Sequence, residues 1–161
     1  MEAIWTSVVA VGGTLLGAVI THVFQRLATL RSEQFARSEA LRQERIATYS
    51  SFAAAVEDYR HGQAARWHRK REHPGGHEYP GGEAFIAARD EAHRLRTVTR
   101  QVLYRVKLLT DDRAVVLAAE RAYACTRDVS NAQDRTEHDA LNDQARQAIE
   151  AFISDASPLT R

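Results

Sequence analysis

The chain has 161 residues and a net charge of +1, and once its apolar start is set aside about 135 residues remain, room for one domain of ordinary size. Its one cysteine, Cys125, excludes an intrachain disulfide and agrees with a reducing cytoplasm. There are three prolines and eight glycines, three of the glycines lying in the apolar start and four in one short stretch. The body is thus almost free of helix breakers, which predicts an all-α protein.

From Ile4 to Phe24 the chain runs 21 residues without a charge. As a helix this segment rises about 31 Å, matching a hydrocarbon core of roughly 30 Å. The start, Met1-Glu2-Ala3, carries no Lys or Arg, and Val23-Phe24-Gln25-Arg26 is a poor cleavage site. The run therefore reads as a transmembrane anchor, residues 1–24, and not as a cleaved secretory signal. Arg26, Arg31, Arg37, Arg42 and Arg45 follow it and no basic residue precedes it. The positive-inside rule then expects a single pass with the N-terminus outside and the C-terminal body in the cytoplasm. Gly13, Gly17 and Thr21 share one face of the anchor, and small residues at this spacing let two helices pack closely in lipid, so self-association is expected there.

Residues 25–45 are thinly apolar and read as a helical stalk; residues 46–161 read as a cytosolic helical bundle. The first helix carries Ile46, Tyr49, Phe52, Ala53 and Val56 and runs to about Arg69, where Pro-Gly-Gly occurs twice and marks a loop over 72–82. A second helix is expected from near Glu83, with Ala88, Ala92, Leu95, Thr99, Val102, Val106 and Leu109 in heptad spacing. Thr110 is the expected cap of a third helix bearing Val115, Ala118, Ala122, Cys125 and Val129, which Ser130-Asn131 ends. Thr136 with Asp139 suggests a capping box for a fourth helix bearing Leu141, Ala145, Ala148, Ile149 and Phe152, closed at Ser157-Pro158. Four amphipathic stripes predict an antiparallel four-helix bundle; if the second and third helices are continuous, the alternative is a coiled coil of three long helices.

Charge is uneven along the chain. Residues 60–107 hold eleven Lys/Arg against five Asp/Glu, and residues 108–161 hold six against ten. Arg89, Arg96 and Arg100 fall near one face of the second helix and are the expected contact for an acidic partner. Around the end of the first helix, the basic stretch Arg60–Arg71 contains Arg66, Trp67, Arg69, Lys70 and Arg71, positive charge beside an aromatic ring, the pattern of a phosphate-binding and base-stacking patch. A continuous helix from residue 25 to 70 would hold that patch roughly 65 Å from the membrane, which disfavours lipid as its ligand. His68, His73 and His77 have a spacing that a metal would accept, but two of them flank Pro-Gly-Gly turns and no cysteine is near, so solvated loop histidines are expected and no metal or cofactor. No paired carboxylates, Gly-rich phosphate loop, Glu-x-x-His pair or nucleophile elbow is present, so no enzyme is expected.

The pattern Arg42-x-Glu44-Arg45-x-x-x-Tyr49-x-x-Phe52-x-x-Ala55, behind an N-terminal anchor and an Arg/Glu-rich stalk, resembles small membrane-anchored helical proteins of actinobacteria over residues 1–60. That resemblance implies a bacterial inner-membrane protein facing the cytosol; it implies no activity and carries no site residues. Residues 60–161 resemble no family by motif. The expected function is a non-enzymatic, membrane-tethered interaction or scaffold protein that docks a cytosolic partner or a second copy of itself. The alternatives are a membrane-tethered nucleic-acid binder using Arg66–Arg71 and, less well supplied with polar residues in its anchor, a membrane-active protein of the phage or toxin type.

Overall fold

The computed structural model describes the backbone of residues 2–72 and 82–160, and side chains at 25–26, 32–72 and 82–160. Four helices account for it: α1 (Glu2–Glu72), α2 (Gly82–Leu109), α3 (Arg113–Asp128) and α4 (Arg135–Ala156), with short 3-10 turns at Val129–Asn131 and Ser157–Thr160. Among the described residues there is no strand. The chain divides into two compact units, Met1–Leu41 and Arg42–Arg161. In the first, Phe35 and Leu41 are exposed, and the Ser38 hydroxyl donates to the Phe35 carbonyl at 2.8 Å. No helix is long and apolar enough to cross a membrane among the described residues; the expected span, residues 4–24, lies outside those whose side chains are described.

Contacts within the second unit give the direction of each helix. The Thr99 hydroxyl on α2 donates to the Ala55 carbonyl on α1 at 2.9 Å, and a Cβ at Gly62 would meet Leu95 Cδ1 at 2.6 Å, so α1 and α2 run antiparallel and close together. Tyr59 stacks on Tyr123 and Gln63 Nε2 donates to the Arg127 carbonyl at 2.8 Å, so α3 runs parallel to α1. Phe52 meets Phe152 and Trp67 meets His138, so α4 runs antiparallel to it. The result is an up-down-up-down four-helix bundle, the arrangement that short connections favour. Its core is formed by Tyr49, Phe52 and Val56 with Leu103, Val106, Val115, Ala119, Ala122, Ala148, Ile149 and Phe152.

The breaks between helices are set by aspartates, two residues away from where the sequence suggested. Thr110 does not cap α3; its hydroxyl accepts from the Asp112 amide at 3.1 Å and holds the turn. Asp112 is the cap, accepting from the amides of Ala114 and Val115 at 2.9 and 3.3 Å, and α2 and α3 are therefore separate helices. The box at the start of α4 is Asp134 with Glu137, not Thr136 with Asp139. Asp134 accepts from the Glu137 amide at 2.8 Å, and Glu137 reaches back to the Gln133 amide at 2.7 Å. On the flank of the bundle, buried Arg60 joins α1 to α4: its Nη1 donates to Asn142 Oδ1 at 2.6 Å and its Nε to Glu57 Oε2 at 3.0 Å. This hydrogen-bonded guanidinium holds the Glu57 carboxyl below the usual carboxylate range.

Candidate functional site

Tyr59, Gln63 and Arg66 lie on one face of α1, one helical turn apart. Across from them α2 presents Ala92, His93 and Arg96, and the end of α3 presents Arg127. The helix passes here into a 3-10 turn over Val129–Asn131, where Asn131 Nδ2 donates back to Asp128 Oδ1 at 3.4 Å. Together these elements enclose a polar cleft of about 220 Å³. Three guanidiniums from three separate elements therefore converge on one small space. Arg96 Nε donates to the Tyr123 hydroxyl at 3.3 Å, and Arg127 Nε donates to Asp128 Oδ1 at 3.0 Å. Asp128 is the one carboxylate paired with any of the three among the described residues; Arg66 and Arg96 have none. The arrangement can hold an anion.

Tyr59 forms the floor, 1% exposed. Burial, and after it the neighbouring Tyr123 phenol, pushes its hydroxyl up to about 12 from an ordinary value of 10.0, while Arg96, Arg127 and Arg66 pull the other way. The phenol thus stays protonated and remains a donor. This has a consequence for stability. Between about pH 10 and 12 the unfolded chain has lost this proton and the folded chain has kept it. Stability that is complete below pH 10 should fall as pH rises through that window, by about 2–3 kcal/mol at 1.36 kcal/mol per unit. In urea unfolding from pH 9 to 11.5, the stability of the wild type relative to Tyr59→Phe is expected to drop by about 2 kcal/mol, the part of that loss reached by pH 11.5. Parallel profiles for the two proteins would show that Tyr59 is not the titrating group.

The other residues singled out in the sequence are scattered. Arg89 pairs with Asp90 at 3.2 Å and Arg100 is exposed; neither lines the cleft with Arg96. Of the basic stretch at the end of α1, Arg66 faces the cleft, Arg69 pairs with Glu72 at 2.9 Å, Arg71 donates to the Gln133 carbonyl at 2.7 Å, and Lys70 is exposed. The expectation that Trp67 offers a stacking platform is corrected. Its ring is buried, stacked on His138 at 4.2 Å and tied by Nε1 to the Ala132 carbonyl at 2.8 Å, because the start of α4 packs over it. His68 sits edge-on to His138, whereas His73 and His77 lie outside the described residues. No three His, Cys, Asp or Glu side chains stand close enough to hold a metal ion among the described residues. Gly13, Gly17 and Thr21 lie outside the described side chains. Cys125 is half-buried against the core. A second hollow, between α1 and the end of α4, measures about 420 Å³ and is mainly apolar, lined by Ile46, Tyr49, Ala53, Phe152 and Ile153; it brings no charged group together.

Residues 46–160 match the KilB plasmid transfer protein family. The chain belongs to that family. The KilB match takes in the whole cleft, with Arg66, Arg96 and Arg127, and falls largely on the stretch where motifs alone suggested no relative. It does not extend to residues 1–45, and so does not bear on the expected anchor or on the likeness to small membrane-anchored actinobacterial proteins. No curated protein and no solved structure matches the chain.

Proposed function

We propose that this KilB-family chain is a membrane-tethered, non-enzymatic docking protein in plasmid transfer, and that its basic cleft receives an acidic segment of a partner protein. The observation that carries this reading is the convergence of Arg66, Arg96 and Arg127 from three elements with a single carboxylate beside them. Such a concentration of guanidiniums is costly to leave without counter-charge, and it complements an anionic partner. The tether rests on the uncharged run Ile4–Phe24 and on the arginines that follow it, which would place the bundle on the cytoplasmic side of a bacterial inner membrane. Tethering confines both partners to a thin layer, and pairing of anchors through Gly13, Gly17 and Thr21 would add avidity without new contacts. The nucleic-acid reading loses its stacking ring, because Trp67 is enclosed by its own protein.

The test uses the full-length chain in cells that carry the plasmid. It should sediment with membranes, and a photocrosslinker in place of His93 should give a discrete protein adduct. Arg96→Glu combined with Arg127→Glu should abolish that adduct and lower transfer at least tenfold at an unchanged protein level. A chain recovered in the aqueous fraction would remove the tether. Adducts to DNA instead of protein, or normal transfer by the double variant, would remove the docking role of the cleft.

A further inference from the structure

Resting on the docking reading above, we infer that the cleft is built for a phosphate monoester, specifically a phosphorylated side chain of the partner, in preference to a carboxylate. Charge is the first argument. Three guanidiniums face one carboxylate, Asp128, so about two positive charges stay unbalanced, and a phosphomonoester near pH 7 brings close to two negative ones where a carboxylate brings one. The type of cation is the second. All three are arginines, whose planar forks engage tetrahedral oxyanions through paired hydrogen bonds. Arg96 is held through Nε by Tyr123, which leaves its two terminal nitrogens for a ligand; Arg127 is bound by Asp128 through Nε and Nη2, which leaves its Nη1. Such pre-positioning lowers the ordering cost of binding.

His93 is the titratable group that α2 adds to the lining, facing any anionic probe alike, and neutral donors complete it. The Tyr59 phenol is kept protonated by burial, and the Ser130 hydroxyl and Asn131 amide stand on the turn opposite. Size then selects among phosphates. At about 220 Å³ the cleft is smaller than the roughly 300–1,000 Å³ of pockets that enclose whole drug-sized ligands. A phosphoryl group on a short side chain fits; a nucleotide would leave its base outside. A backbone phosphodiester of DNA carries a single charge, where the cleft leaves about two positive charges unbalanced.

The experiment is a titration of the full-length protein, followed by amide NMR shifts, with three probes: capped phosphoserine, capped glutamate and 5′-AMP. Capped phosphoserine should bind at least tenfold more tightly than capped glutamate at pH 8, and lose most of that advantage at pH 5, where the phosphate becomes a monoanion. Arg96→Lys, which keeps the charge and loses the fork, should weaken phosphoserine binding several-fold, whereas Arg105→Gln, on an exposed part of α2, should not. Equal binding of glutamate and phosphoserine would overturn the inference and leave the acidic-partner reading standing. Binding of neither would remove both. Tighter binding of 5′-AMP than of phosphoserine would assign the cleft to a nucleotide and overturn the inference.

Discussion

Phe152→Ala is expected to cost about 3–5 kcal/mol of folding stability, the range for emptying a buried phenylalanine site. The side chain is 0% exposed and meets Phe52 edge-on at 4.8 Å and 74°, and Tyr49 at 6.0 Å and 86°. Edge-to-face pairs of this kind add about 0.5–1.5 kcal/mol beyond the area they bury. Both α1 residues depend on the same α4 ring, so its removal leaves a cavity that neither helix can close alone. Against a total stability of about 5–15 kcal/mol the loss is large. Urea unfolding followed by far-UV circular dichroism measures it, with Ile153→Ala as the control. Ile153 is the next residue and half exposed, so its loss should be much smaller. Equal losses at the two positions would mean that α4 turns a different face to the core.

The face of α4 was legible in advance because Ala145, Ala148, Ile149 and Phe152 repeat at helical spacing and leave no other buried solution. On α3 the same reading slipped by one residue at two points, Ala119 and Thr126 being buried where Ala118 and Cys125 were expected. Small residues of similar hydrophobicity flank the seam on both sides there, so periodicity alone does not fix the rotation. The caps slipped for a different reason. Asp112 and Asp134 each stand two residues from a threonine that also caps helices well, and which of the two wins depends on how the turn is held. The cleft was legible only in fragments. Arg66 and Arg96 stood in separate candidate sets, Arg127 and Tyr59 in none, because the cleft joins positions about thirty residues apart in the chain. No local spacing announces such a site; it exists only because α3 lies parallel to α1 and brings Arg127 beside Gln63.

Trp67 shows how the same composition supports opposite readings, and its replacement carries the second large expected effect. Arg66, Arg69, Lys70 and Arg71 around one indole describe a base-stacking patch as well as they describe a basic helix end with its aromatic turned inward. The fold decides through His138, which is 4% exposed and presents its ring parallel to the indole, 23° between planes. The Arg71 guanidinium covers the ring from 5.0 Å, an arrangement favourable for a cation over an indole. Trp67→Ala should therefore cost about 3–5 kcal/mol. It removes the packing of the indole, leaves the Ala132 carbonyl without its donor, and strips the cover from His138, whose Nε2 already lacks a partner among the described residues. Trp67→Phe separates these contributions, because the ring stays and the N–H goes; it should lose about 1–3 kcal/mol, the cost of a buried acceptor left unpaired plus a smaller stack. Measured by urea unfolding, the two variants should fall well apart, and labelled single-stranded DNA should bind both no more weakly than it binds the wild type. A fall in DNA affinity for Trp67→Phe, with stability unchanged, would mean that the indole turns outward and serves the nucleic acid after all.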